Sequence, residues 1–171
     1  IELDFTTLKS VGDMDTNDDN VIAATSFGQG NTLVTPLQMA MITQSVANKG
    51  KMMKPYLIKS VVNGRGKVIS KGKEEVLTEA MNPDIARKIC TAMTKAGDHY
   101  DLSWIGDKDY RIAAKTGTAQ RGDGSNNAWL VTFAPAENPK YVVVVCRLGT
   151  KKIGKTLAPV AETLYERLLY K

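Results

Sequence analysis

One histidine and two cysteines are all that these 171 residues offer to imidazole or thiol chemistry. His99 has no companion at metal-ligand spacing and lies in a polar stretch, so it reads as a loop residue, and no metal or other cofactor is called for. Cys90 and Cys146 stand far apart in apolar surroundings, which suggests buried free thiols and neither a disulfide framework nor a metal-ligand spacing. With so little histidine, no Ser-His-Asp arrangement is in prospect. Long apolar runs are also missing. The longest, Tyr141 to Cys146, is far too short to cross a bilayer, and no leader pattern opens the chain. Ile1 stands where an initiator methionine would, and "IELDF" reads as the interior of something longer, so a processed or cut piece of a larger protein is the expectation.

What is present is enough for one core. The chain is 43% hydrophobic, and its length corresponds to about one domain. A net charge of +5 favours anionic partners, but the lysines and arginines read as scattered among acids, with no basic stripe interleaved with aromatics. Nucleic acid is therefore not an expected partner.

The first twenty residues, with "VGDMDTNDDN", are acidic and rich in turn formers, as in a surface loop. A glycine-rich turn then leads into a helix capped by Thr35, with Pro36 in its first turn and Leu37, Met41 and Val46 near helical spacing until Lys49 and Gly50. "MMKPYLIKSVVNGRGKVIS" reads as two strands joined by "NGRG". A second helix is predicted from Pro83, capped by Asn82, to Gly97. "YRIAAKTGTA", "NAWLVTFAP" and "KYVVVVCRL" follow as three strands separated by turns, the pattern of an antiparallel meander, and "TLAPVAETLYERLLYK" closes as an amphipathic helix. The fold class is α+β, an antiparallel sheet with packed helices.

Two lysine-threonine pairs compete for the chemistry. "GTKKIGKT", Gly149 to Thr156, has the two glycines, lysine and threonine of a phosphate-binding loop between a strand and a helix. It lacks the parallel βαβ setting in which such a loop works. "AAKTGTAQ", Ala113 to Gln120, sits better in its surroundings. On a strand beside a groove, the Lys115 ammonium can hold a carboxylate, the Thr116 hydroxyl adds a hydrogen bond, and Gly117 lets another chain approach. If that strand is an edge, a peptide can add to it, and the amide of Thr118 can face a developing oxyanion.

"AATSFGQGNTLVTPLQMA", then a two-helix segment, then "AAKTGTAQ" and "NAWLVTFAP", in that order, resemble the C-terminal half of the transpeptidase domain of class B penicillin-binding proteins. These are penicillin-recognising serine enzymes that carry a lysine-threonine-glycine strand. The resemblance implies a β-lactamase/transpeptidase-like fold, here incomplete, with residues 1–171 as one partial domain. It implies that Lys115, Thr116, Gly117 and Thr118 line the active site, Thr118 giving an oxyanion-hole amide, and that Gln120 lies just beyond. Gly28 to Gly30 and the helix after Pro36 would be scaffold away from the chemistry. Trp129 and Phe133 would be structural, one ring in the core. The parent would take the D-Ala-D-Ala end of a peptidoglycan stem peptide, be trapped by β-lactams, and sit on the extracytoplasmic face of the bacterial membrane.

The same comparison exposes a gap. The family's nucleophile lies in an SxxK motif on a buried helix and an SxN motif follows on a loop, both N-terminal to everything here. "SKGK", Ser70 to Lys73, matches SxxK but follows a strand-like run, and "SNN", Ser125 to Asn127, matches SxN but lies in a turn after the lysine strand. Neither is assigned a role. Without a serine beside a general-base lysine, the chain alone is expected to be inactive and unable to react with a β-lactam. It is also expected to expose apolar surface and an unpaired edge, hence to self-associate or to pair with the missing half. The alternatives are a non-catalytic β-lactam sensor or binding domain of the same fold, and a nucleotide-binding module using "GTKKIGKT".

Overall fold

The computed structural model describes residues 17–30, 32–100, 102 and 110–170. Its centre is a three-stranded antiparallel meander in the order β5 (Ala113–Gln120), β6 (Asn126–Ala134), β7 (Tyr141–Thr150). Helices α2 (Pro36–Ala47) and α3 (Pro83–His99) pack on one face and α4 (Ala158–Leu169) on the other. Two short ladders complete the described structure, β1 (Lys51–Met53) with β4 (Val76–Glu79) and β2 (Ser60–Val62) with β3 (Val68–Lys71). The expected α+β meander with packed helices is the observed architecture.

The period of two along β5 and β6 divides the core. Ala113, Val131 and Phe133 join Val46 of α2 and Met93 of α3, while Ala114, Leu130 and Ala134 join Leu157, Ala161 and Tyr165 on the α4 side. β6 is hydrogen-bonded on both sides and covered on both faces, so its inward residues are close to fully buried.

Local chemistry explains the helix starts. The Thr35 side chain accepts from the Gln38 amide while the Gln38 side chain accepts from the Thr35 amide, a capping box, and Pro36 sits where its missing N–H costs nothing. Asn82 caps α3 in the same position relative to Pro83. The turn "NGRG" is held by Asn63, whose side chain accepts from the amides of Arg65 and Lys67.

Several expectations are corrected. Residues 1–16 of the expected acidic loop lie outside the described residues, and its end is helical: α1 runs Asp19–Ser26, with Asp18 as N-cap accepting from the Asn20 amide. An acidic turn former is a good cap, which is why a run of them can open a helix. Between α2 and the lysine strand the described residues form two ladders and one helix, α3, which runs on to His99, so that histidine ends a helix and is not a loop residue. The β1–β4 ladder was not foreseen. Leu37 is exposed, and the residues α2 buries are Thr43, Ser45 and Val46. Cys90 and Cys146 are free thiols as expected but only half-buried, and desolvation raises both pKa values.

One buried polar pair joins α4 to the sheet. The Thr132 hydroxyl donates to the Val143 carbonyl at 2.9 Å and lies 2.8 Å from the Tyr165 hydroxyl, with both side chains fully buried. Burial pushes the Tyr165 phenol well above its usual range. Thr132→Val strips Tyr165 of that partner in a site without solvent and is expected to cost about 1–3 kcal/mol in urea unfolding, whereas Tyr165→Phe removes only a net hydrogen bond and should cost about 1 kcal/mol. Equal costs for the two would contradict this account.

Candidate active site

Lys115, Thr116, Gly117 and Thr118 occupy the middle of β5, opposite Val131, Leu130, Trp129 and Ala128 of β6. Alternation places Thr116 and Thr118 on the α4 face and Lys115 and Gly117 on the other. Among the described residues β5 has no strand on its outer side, so it is an edge. Lys115 is exposed, and its ammonium curls to that edge, donating to the Thr116 carbonyl at 2.5 Å.

The two threonine hydroxyls are each held. Thr116 donates to the Tyr100 hydroxyl at 3.0 Å, and Thr118 accepts from the Gly154 amide at 3.2 Å. Gln29 reaches the Thr118 carbonyl through its side-chain amide at 3.5 Å, the long limit of a hydrogen bond. That carbonyl therefore faces away from β6, and because the N–H and C=O of one residue in an antiparallel strand point to the same side, the Thr118 N–H faces the open edge too. Gln120 is exposed at the end of the strand, opposite Asn126.

These contacts recover residues that sequence reasoning missed. Gln29 lies in the glycine-rich segment expected to be scaffold away from the chemistry, yet it touches the lysine strand. Its neighbours Gly28 and Gly30 both have positive φ and build the turn that carries it there. Tyr100 sits just past the end of α3, with nothing in the sequence to tie it to Thr116. α2, by contrast, is scaffold on the sheet.

Gly154 shows what the "GTKKIGKT" segment is used for in this fold. A Cβ there would lie 2.4 Å from the Trp129 carbonyl oxygen and 2.7 Å from that of Gly117, so the segment is packed directly onto the backbone of β5 and β6. The sheet beside it is wholly antiparallel among the described residues. Trp129 is half-buried and Phe133 fully buried, the core role expected of one ring.

Ser70 lies on β3, exposed and opposite Val61, not on a helix. Ser125 is engaged locally: its amide and hydroxyl both donate to the Asp123 carboxylate, and those bonds hold the Asp123 carboxyl below its usual range. Asn127 accepts from the Gly149 amide.

A hollow of about 410 Å³ opens beside Tyr100, walled by Ile153, Thr156, Pro159 and Glu162. A larger one of about 470 Å³ lies between α2 and the start of β7 and includes none of the lysine-strand residues. The first is lined by none of them either, but Tyr100 ties it to the strand by accepting from the Thr116 hydroxyl.

Known proteins are similar to this chain in sequence and fold. Residues 6–166 match the family described as penicillin binding protein transpeptidase domain. The chain is 34% identical over 128 residues to the peptidoglycan D,D-transpeptidase PbpA of Mycolicibacterium smegmatis, covering 72% of this chain and 26% of that protein. It is 31% identical over 161 residues to PbpA of Mycobacterium tuberculosis, covering 89% of this chain and 33% of that protein. The structure of penicillin-binding protein A from M. tuberculosis as its penicillin G acyl-enzyme complex superposes with a TM-score of 0.82 at 30% identity, covering 94% of this chain and 38% of that one. The chain thus spans about a quarter to a third of the length of the curated relatives it matches.

Proposed function

The chain belongs to the penicillin-binding protein transpeptidase domain family, and on that premise we propose that it is the C-terminal part of a peptidoglycan D,D-transpeptidase domain, supplying the lysine-threonine-glycine wall of the site. The observation that carries this reading is Lys115-Thr116-Gly117-Thr118 on a sheet edge that is unpaired among the described residues, with the Thr118 amide facing the opening.

In this reading a stem peptide ending in D-Ala-D-Ala lies along β5 as an added strand. Its terminal carboxylate draws the Lys115 ammonium from the Thr116 carbonyl, because a carboxylate adds the attraction of opposite full charges that a neutral carbonyl lacks. The Thr116 hydroxyl turns its proton from the Tyr100 oxygen to the carboxylate and becomes a further donor. A serine from the rest of the domain attacks the carbonyl of the penultimate residue, the terminal D-Ala leaves, and the acyl group passes to the amine of a neighbouring stem. The Thr118 N–H then faces the oxyanion of each tetrahedral intermediate, where a preorganised donor is most effective. Gly117, whose side-chain position already has the Trp129 Cβ at 3.4 Å, keeps the strand surface low for the ligand, and Gln120 borders its far end. β-Lactams occupy the same edge and acylate the serine. The proposed location is the extracytoplasmic side of the membrane. No helix among the described residues is long and apolar enough to span one.

The serine and its base lysine belong to sequence outside this chain, so the polypeptide by itself is expected to gain no mass on incubation with penicillin G. An adduct seen by intact mass spectrometry would overturn that assignment. In the longer protein, Lys115→Ala is expected to slow acylation by a fluorescent penicillin about 10- to 100-fold, the equivalent of losing a hydrogen bond of about 1.5–3 kcal/mol to a charged group. An unchanged acylation rate would remove Lys115 from the site. The outer edge of β7, also unpaired among the described residues, is where strands of the remaining half would add, and pairing between copies of this chain is expected when that half is missing.

A further inference from the structure

The expectation that basic residues are scattered fails for one stretch. Residues 51–73, the end of the α2 connection and the whole β2–β3 hairpin, contain seven lysines and arginines and no acid, which leaves 16 basic residues to face all 18 acidic ones elsewhere. The excess positive charge of the chain therefore sits on this projection alone. All seven side chains are exposed, and among the described residues none of them forms an ion pair.

The same projection exposes aliphatic side chains, with Leu57 80%, Ile69 63% and Val62 54% accessible. The β2–β3 ladder has two strands, and among the described residues neither outer edge is paired. At its foot lie two adjoining hollows of about 470 and 320 Å³, which share Gln44, Met53, Lys54, Tyr56 and Val142.

Each of these features is unfavourable in isolation. Like charges repel, exposed aliphatics are hydrated, and an isolated two-stranded ladder is marginal in water. One kind of occupant relieves all three. We propose that the basic stretch of residues 51–73, with the β2–β3 hairpin, and the hollow at its foot, where Glu74 is the one acid of the lining, dock a segment of a partner protein in which acidic and apolar residues alternate. The segment adds to a free edge of the ladder, its carboxylates meet Lys54, Lys59, Lys71 and Lys73, and an apolar side chain enters the hollow against Met53 and Tyr56. A bilayer surface is less well served, because Tyr56 is the only aromatic in the basic stretch and interfacial anchoring relies on aromatic girdles. A nucleic acid would want several stacking platforms and no aliphatic patch.

The test is independent of the transpeptidase reading, since it needs no acylation. A fluorescein-labelled octapeptide alternating glutamate and leucine is titrated with the protein at about 0.15 M salt and followed by anisotropy. Saturable binding is expected, weakened about tenfold or more by Lys59→Glu with Lys71→Glu. The pair Lys88→Glu with Lys95→Glu, on the exposed side of α3, makes the same change in net charge and should alter affinity by less than about twofold. Absence of saturable binding, or equal weakening by both pairs, overturns the proposal. So does tighter binding to vesicles of anionic phospholipid than to the peptide, which would assign the surface to a membrane. A concentration-dependent dimer in sedimentation that Lys59→Glu with Lys71→Glu abolishes would make a second copy the occupant and overturn it as well.

Discussion

Phe133→Ala is expected to destabilise the fold by about 3–5 kcal/mol, the usual cost of truncating a fully buried aromatic ring. Phe133 has no exposed surface and sits on the central strand, where it meets Val46 of α2, Met93 of α3, Val131 and Ala136. The magnitude is at the upper end because the hole cannot close. β6 is hydrogen-bonded to β5 on one side and to β7 on the other, with Phe133 opposite Ala113 and Val142, so the backbone is not free to settle inward. Against a total stability of about 5–15 kcal/mol for a typical domain, the loss is large. Urea unfolding should show a lower midpoint with an unchanged slope. A loss below about 1 kcal/mol would mean that this half of the core is not packed as described. The consequence reaches the site, since Ala113, the partner of Phe133, lies two residues before Lys115.

Gly97→Ala should have the second-largest effect, and its sign is the informative part. Alanine is favoured over glycine in a helix interior by about 1 kcal/mol, so helix propensity alone predicts stabilisation. Gly97 is buried near the end of α3, and a Cβ there would fall 1.9 Å from the Ile112 carbonyl oxygen. That neighbour is backbone leading directly into β5 and has no flexible end to swing away. The helix must then lift from the strand, at a net cost of about 3 kcal/mol. For a chain of this length the melting temperature should fall roughly 6–12 °C. A rise in melting temperature would show that propensity outweighs the contact. In the longer protein, the proposed reading adds that β-lactam acylation should fall as well, because Ile112 and Ala114 set the strand that carries Lys115.

What could be read from residue order is what depends on local chemistry and strict period. The capping box at Thr35 and Gln38, the Asn82-Pro83 start, the "NGRG" turn and the three alternating runs of the meander each carry their signal within a few residues. α1 was hidden because its cap, Asp18, lies in an acidic run that reads as a loop, and the β1–β4 ladder because two short strands with 22 residues between them have no shared local mark. The extension of α3 to His99 was hidden by Gly97, a helix breaker by propensity that is retained here for close packing.

By itself the sequence determined the elements, the antiparallel order of the meander, the lysine-threonine-glycine motif and the kinship it suggests. Tertiary structure alone decided that β5 is an edge among the described residues, that the Thr118 amide faces outward, that Tyr100 and Gln29 attend the motif, and that Gly154 is pressed onto its backbone. It also left the seven cations of residues 51–73, already adjacent in sequence, exposed and without ion pairs among the described residues. The physical reason is distance along the chain. Gln29 and Thr118 are 89 residues apart and Gly154 lies 36 beyond Thr118, so the contact is set by how two packed faces of the sheet meet, which no local pattern encodes.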